Sequence, residues 1–199
     1  MAHRSDQPLF QDELAEEAVR QLISWVGENP DREGLADTPR RVVDALSDLC
    51  SGYTTDPAEV LSTTFDLDDS HTGIRYGGMV VLRGIEFCSL CEHHMLPFVG
   101  KVAIAYVPKE RVVGISKLAH LVEAYARRLQ VQERFTAQLA DAIAKHLDAA
   151  GVLVVVEAEH FCMRMRGVKK QHALMATSEL RGCFVDHAVR EEALRLIHG

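Results

Sequence analysis

The octapeptide Gly-Lys-Val-Ala-Ile-Ala-Tyr-Val at residues 100–107 carries the clearest secondary-structure signal in this sequence. Its larger apolar side chains alternate with smaller ones, and a period of two is typical of a β-strand. Further strands are predicted at residues 79–88, 152–158 and 173–185, where apolar residues are concentrated. A hairpin turn is predicted at residues 108–111 with a short strand continuation at 112–115, and a short terminal helix at residues 189–197.

Two amphipathic helices are predicted between the strands at residues 100–107 and 152–158. Ser116 can cap the first helix, and the second helix carries Phe135 and Leu139 and ends before Gly151. The order strand, strand, helix, helix, strand, strand predicts an α+β fold in which a sheet is layered with helices on one face.

The N-terminal quarter predicts a helical extension. Apolar residues recur every four positions in a first helix at residues 12–26, and Thr38 with Pro39 can begin a second. Residues 1–10 are predicted to form a loosely docked tail. We therefore divide the chain into a tail and helical extension at residues 1–55 and one integrated unit at residues 56–199.

Composition and cysteine usage exclude several classes of protein. The formal net charge of −7 argues against a general nucleic-acid partner, which would require a basic surface. No apolar run approaches the roughly 20 residues of a membrane span, so no membrane partner is expected. The five cysteines are an odd number, and residues 1–17 lack the apolar core of a secretory signal. We therefore expect a cytoplasmic protein whose thiols are free or bound to metal.

Two short segments concentrate metal-ligand side chains. Residues 91–94 have the sequence Cys-Glu-His-His, and residues 160–162 have the sequence His-Phe-Cys. If the second segment is extended, its two ligand-type side chains point to one face, and a turn would bring Cys91 and His94 together. Zinc is the metal that takes such a mixed set of sulfur and nitrogen donors.

We predict a hydrolytic zinc site held by Cys91, His94 and Cys162, because three protein ligands leave a fourth position open for water. A closed structural site that also uses Cys88 is the competing interpretation, since residues 88–91 form a C-x-x-C pattern that is too short to settle the question.

His93 and His160 remain once His94 is assigned to the metal. An imidazole has an unperturbed pKa of about 6.5, so either side chain could move protons near neutral pH. The alternative for each is a hydrogen bond that orients a metal ligand.

Substrate-binding candidates flank the same segments. Arg164 and Arg166 lie two and four residues past Cys162, so on a strand they would share its face and suit a phosphorylated substrate. Glu133, next to Gln132, could be favoured by the helix dipole alone or could accept two N–H donors such as those of guanine. The other basic residues nearby are Lys117, Lys169 and Lys170.

The chain resembles the GTP cyclohydrolase I family, the zinc enzymes that open pteridine and tetrahydrofolate biosynthesis. The resemblance covers roughly residues 12–198 in unbroken order. The segments that carry it are Glu33–Arg41, Cys88–His94, Gly114–Leu118, Arg127–Arg134 and Glu159–Gly167.

This resemblance implies a tunnelling fold, in which an antiparallel β-sheet is backed by two antiparallel helices, with the N-terminal helices appended. It implies a homodecamer with active sites at the subunit interfaces. It assigns the zinc to Cys91, His94 and Cys162 and leaves Cys88 outside the metal shell.

The resemblance also implies a reaction and a set of residue roles. Zinc-activated water attacks C8 of the guanine of GTP, formate leaves, and the product is 7,8-dihydroneopterin triphosphate. His93 and His160 would shuttle protons, and Ser116 is implicated in the rearrangement of the ribose. The substrate contacts implied are Glu133 and Gln132 at the guanine edge, and Arg41, Lys117 and Arg166 at the triphosphate.

One position departs from the family pattern. The arginine that usually follows the Ser-Lys pair and contacts the triphosphate is His120 here. A charge-assisted hydrogen bond contributes roughly 1.5–3 kcal/mol, so its loss could weaken GTP binding by about ten- to a hundredfold unless another cation compensates. Asp44 also stands where some members carry a lysine, although that position varies.

Two other functions fit the same residues. One is a specialised paralogue that serves deazapurine or secondary metabolism, or acts on a nucleotide with a different phosphate tail. The other is a non-catalytic, zinc-stabilised oligomer that binds a purine or pterin. Chelation would unfold the second, because a structural zinc contributes folding free energy directly.

Overall fold

The computed structural model describes residues 9–67 and 76–199. Most of the predicted tail, and part of the connection before the second strand, lie outside these ranges. The helices are α1 (Leu9–Trp25), α2 (Thr38–Leu49), α3 (Pro57–Val60), α4 (Ile115–Ala126), α5 (Gln132–His146), α6 (Phe161–Arg164) and α7 (His187–His198). The strands are β1 (Thr64–Asp66), β2 (Val80–Cys91), β3 (Pro97–Val107), β4 (Arg111–Val113), β5 (Leu129–Gln130), β6 (Gly151–His160) and β7 (Met175–Gly182).

A five-stranded sheet organises the molecule, in the order β5-β2-β3-β6-β7. The four long strands are antiparallel, and only the two-residue β5 runs parallel to its neighbour β2. The octapeptide at residues 100–107 lies in β3, at the centre of the sheet, where both of its edges are hydrogen-bonded. The strand prediction is confirmed there.

Side-chain alternation along β3 and β6 builds the main core. Val102 pairs with Val156 and Ile104 with Val154, and all four are fully buried. Gly100 is required where the two strands approach closely, because a Cβ there would lie 1.9 Å from the Glu157 carbonyl oxygen. These apolar residues and those of α4 and α5 form one hydrophobic cluster. This is the α+β tunnelling fold that was predicted, a largely antiparallel sheet backed by two helices.

The opposite face of the sheet carries a second, smaller cluster. Ala103, Ala105 and Leu153 pack there with Ala193 and Ile197 of α7. Helices therefore lie on both faces, whereas the sequence pattern predicted them on one. The terminal helix was predicted, but its short apolar stripe does not reveal which face it covers.

The β4 segment also differs from its prediction. It was expected to continue the hairpin after β3, but it pairs with β1 in a separate two-stranded sheet. Tyr106 of β3 is fully buried and its hydroxyl accepts a hydrogen bond from the Val113 amide at 3.2 Å. That bond ties the small sheet to the main one.

The N-terminal extension is joined to α4 by backbone contacts. The Gly52 amide donates to the Arg127 carbonyl at 3.0 Å, and a Cβ at Gly52 would lie 2.2 Å from the Ala124 carbonyl oxygen. Helix α2 begins at Thr38, so Thr38 is its first helical residue and not its cap, and Asp37 precedes it without a side-chain capping bond. The boundary between residues 55 and 56 stays a prediction.

None of the helices formed by residues 9–67 and 76–199 is long and apolar enough to cross a membrane.

Candidate metal centre and active site

Three ligand-type side chains predicted from the sequence meet in space. One donor atom each from Cys91, His94 and Cys162 can be chosen so that all three lie within 4.8 Å of one another. Cys91 is buried, Cys162 is partly buried and His94 is exposed. The group therefore sits where the core meets solvent, and one side of it is open.

A tight turn between β2 and β3 presents two of these donors. Cys91 is the last residue of β2, and its carbonyl accepts from the amides of His94 at 3.3 Å and Met95 at 2.8 Å. Met95 takes a left-handed conformation with φ of 52°. This turn leaves Cys91 Sγ 3.8 Å from His94 Nδ1. The strand thus runs to Cys91, three residues further than predicted.

The third donor comes from a helical turn, not from an extended segment. Strand β6 ends at His160, and Cys162 lies in the one-turn helix α6. The prediction that Arg164 and Arg166 share a strand face with Cys162 is therefore wrong. Arg164 forms an ion pair with Glu159, whereas Arg166 Nη1 lies 3.4 Å from His94 Nε2.

Cys88 lies outside the donor group in the described part of the chain. It is three residues before Cys91 on β2, so the two side chains point to opposite faces of the sheet. Cys88 is exposed and Cys91 is buried, in agreement with that alternation. A closed site that includes Cys88 has no support in this geometry.

The chemistry of the donor set fits a divalent metal. Burial raises the pKa of the Cys162 thiol, and the neighbouring Cys91 raises it further. A bound cation reverses this effect because it stabilises the thiolate form, and sulfur with imidazole nitrogen suits zinc-like metals. The group can therefore hold a metal with three protein ligands.

His160 precedes Cys162 by two residues and has a fixed orientation. Its ring stacks on Phe98, with centroids 4.8 Å apart and planes inclined by 2°. Its Nε2 lies 2.9 Å from Gln132 Oε1. Burial lowers the pKa of His160, and the charge of Glu133 partly opposes this. His93 is different, since its side chain is 65% exposed and its Nδ1 lies 3.9 Å from Cys91 Sγ.

Gln132 and Glu133 begin α5 and have opposite environments. Gln132 is 1% exposed and both polar atoms of its side chain have protein partners, whereas Glu133 is exposed. Sequence reasoning missed Phe98 as a partner of His160. The two residues are register neighbours on β3 and β6, which a single sequence does not reveal.

The predicted phosphate ligands are spread over separate elements. Ser116, Lys117 and His120 lie on the first turns of α4, whose N-cap is Gly114 and not Ser116. Ser116 and His120 are exposed and Lys117 is half-buried. Arg41 lies on α2, where it forms an ion pair with Asp37 at 3.0 Å. The remaining predicted phosphate ligand, Arg166, contacts the metal-ligand group at His94.

A family model described as GTP cyclohydrolase I matches residues 15–198, nearly the whole chain. The chain belongs to the GTP cyclohydrolase I family. The matched range contains most of the extension, the whole five-stranded sheet and every predicted site residue.

Curated relatives agree with this family over most of their length. A GTP cyclohydrolase 1 of Wolinella succinogenes is 53% identical over 178 residues, which are 89% of this chain and 92% of the relative. A GTP cyclohydrolase 1 of Mycobacterium leprae is 50% identical over 192 residues, which are 95% of this chain and 90% of the relative. One of Streptomyces avermitilis is 49% identical, with coverages of 94% and 91%.

Proposed function

We propose that this GTP cyclohydrolase I family member is a zinc-dependent hydrolase that opens the imidazole ring of the guanine of GTP at C8. The reaction releases formate and ends in 7,8-dihydroneopterin triphosphate. The observation that carries the proposal is the convergence of Cys91, His94 and Cys162 within 4.8 Å, together with the fixed orientation of His160 two residues before Cys162.

Cys91, His94 and Cys162 would hold the zinc. Two thiolates and one imidazole are ordinary zinc ligands, and a three-residue set is typical of catalytic sites, which keep one coordination position free. When bound, the ion supplies Lewis acidity that makes water nucleophilic near neutral pH. Arg134 forms an ion pair with Glu92 and so helps to hold the turn that carries two of the ligands.

Proton transfer is assigned to His93 and His160. His160 is partly buried and held by two contacts, so its ring has one orientation toward the substrate. His93 is exposed on the turn next to Cys91, where its ring can exchange protons with both solvent and substrate. The two histidines differ in access to water, which suits opposite roles in adding and removing protons.

Glu133 would bind the guanine edge. It is exposed in the first turn of α5, and its carboxylate offers two acceptor oxygens to the ring N–H and the exocyclic amino group of guanine. Because Glu133 follows Gln132, whose side chain contacts His160, the guanine would lie near the proton-transfer group.

The triphosphate would be bound by Lys117, Arg166 and Arg41, with His120 beside them. The first turn of α4 also presents backbone amides that favour anions, and Ser116 lies there for the ribose rearrangement. Arg41 lies on α2, in the N-terminal extension. Because the proposed active sites lie between subunits, we assign Arg41 as a ligand that a neighbouring subunit can supply.

A homodecamer with interfacial active sites is part of the proposal. Helix α1 supports it because large apolar side chains remain uncovered there: Leu14, Leu22, Trp25 and the adjoining Val26 are 55–83% exposed. Exposed apolar residues in such number are typical of an association surface.

The test is to incubate zinc-loaded protein with GTP and to measure formate release and dihydropterin formation together. Both products are expected, and both should be lost in a Cys162→Ala variant. Formate without dihydropterin would limit the function to ring opening. Neither product from a folded, zinc-bound protein would overturn the proposal.

A further inference from the structure

The side chain of Gln132 is buried in a set of acceptors that fixes its amide. It is 1% exposed. Its Nε2 lies 3.0 Å from the Val156 carbonyl oxygen, 2.9 Å from the Met175 carbonyl oxygen and 3.2 Å from Thr177 Oγ1. Two of these partners are backbone carbonyls that can only accept, so the atom that faces them must be the donor nitrogen.

The reversed orientation of this amide is excluded by the same contacts. It would place the amide oxygen about 3 Å from two carbonyl oxygens, with no hydrogen between them. Neighbouring hydroxyls fit the first orientation. Thr136 Oγ1 donates to the backbone carbonyl oxygen of Gln132 at 2.7 Å and can accept from the Thr177 hydroxyl. The lone pairs of Thr177 Oγ1 can then accept from the side-chain nitrogen of Gln132.

Gln132 therefore presents its oxygen to His160. Oε1 lies 2.9 Å from His160 Nε2, and an amide oxygen can only accept. His160 Nε2 must then carry a hydrogen, so the neutral ring has its lone pair on Nδ1. The Phe98 stack fixes the plane of the ring, and the bond to Gln132 fixes its rotation within that plane.

We propose that Gln132 is a positioning residue that holds neutral His160 as the Nε2–H tautomer, so that Nδ1 is the nitrogen that exchanges protons with the substrate. Gln132 does not bind the guanine through its side chain, contrary to the role that the family resemblance implies. The kinetic part of the proposal rests on the proposed function, whereas the tautomer does not.

Nitrogen NMR of zinc-loaded protein labelled with ¹⁵N-histidine tests the tautomer directly. The signals of His160 can be identified among the ten histidines by their loss in His160→Gln. We expect one tautomer, with a protonated Nε2 whose hydrogen exchanges slowly with water. A protonated Nδ1, or an average of both tautomers, would overturn the proposal without any variant at position 132.

Two variants separate the amide from its surroundings. Gln132→Leu removes the acceptor, so the slowly exchanging Nε2 hydrogen of His160 should disappear and both tautomers should be populated. Thr177→Val removes one of the three acceptors of the Gln132 nitrogen and leaves the two carbonyls, so the Nε2–H tautomer should persist. A spectrum of His160 that is unchanged in Gln132→Leu would contradict the assignment.

Steady-state kinetics distinguish positioning from binding. Gln132→Leu should lower kcat by roughly tenfold or more, as is usual for removal of an orienting partner, with KM for GTP nearly unchanged. In a His160→Ala background the same substitution should cost little further, because it acts through that ring. A raised KM with unchanged kcat would assign Gln132 to the guanine instead.

Discussion

The metal-ligand group and the proposed phosphate ligands are built in opposite ways. Cys91, His94 and Cys162 come from the end of β2, the turn after it and the helical turn after β6, and their donor atoms meet within 4.8 Å. Arg41 and Lys117 lie on different helices, α2 and α4, and Arg41 is paired with Asp37 on its own helix. One region is complete within the fold, and the other is a set of separate surface cations.

This difference indicates that the fold of one chain positions the metal-ligand group but not the proposed phosphate ligands. The ligand turn is held by backbone hydrogen bonds to the Cys91 carbonyl, so the metal centre depends on sheet geometry. Exposed cations contribute little to the stability of the fold, and they contribute to binding when a polyanionic ligand contacts several of them. We therefore expect substitutions at the metal centre to have larger effects than those at the phosphate side.

The largest effect is expected from Cys162→Ala. Loss of one thiolate should abolish stoichiometric metal binding and reduce GTP turnover by at least roughly 10³-fold, because Lewis-acid stabilisation contributes several kcal/mol. Metal content per chain and formate release are the measurements. Cys88→Ala is the matched control and should keep both, since Cys88 lies outside the donor group. Loss of metal from Cys88→Ala would instead support a closed site that includes Cys88.

A smaller effect is expected from Glu133→Gln, which removes the proposed charge at the guanine edge. A hydrogen bond to a charged group contributes roughly 1.5–3 kcal/mol, so kcat/KM for GTP should fall by about ten- to a hundredfold while metal content stays constant. Glu123→Gln, at a partly exposed position on α4 that pairs with Arg127, serves as the control. Equal effects of the two variants would remove Glu133 from the site.

The smallest effect is expected from His120→Arg, which restores the cation that the family usually carries. KM for GTP should fall by about tenfold or less, because His120 is exposed and water screens the added charge. The gain should shrink as salt concentration rises. His187→Arg, on the distant α7, should leave KM unchanged. An unaltered KM in His120→Arg would show that this position does not face the triphosphate.

The sequence predicted the strands and a group of side chains that could hold a metal, because both leave local patterns. Alternation identified β3, and a dense group of thiols and imidazoles identified Cys91, His94 and Cys162. The conformation at Cys162 was missed, because the apolar run of β6 gives no signal that the chain turns helical after His160.

Long-range pairings were beyond the reach of one sequence. The contact of Phe98 with His160 depends on the register between β3 and β6, and the burial of Gln132 depends on where α5 crosses β6 and β7. A glutamine beside a glutamate at a helix start is the same pattern whether it binds a ligand or fills the core. Packing decides between the two.

X-ray absorption at the zinc edge of the purified protein distinguishes an open metal centre from a closed one. We expect two sulfur ligands near 2.3 Å and two lighter nitrogen or oxygen ligands near 2.0 Å, as for Cys91, Cys162, His94 and a solvent molecule. Three sulfur ligands would indicate that Cys88 also binds the metal. One sulfur ligand or none would show that Cys91 and Cys162 do not both bind it. Either result would contradict an open metal centre built from the ends of β2 and β6.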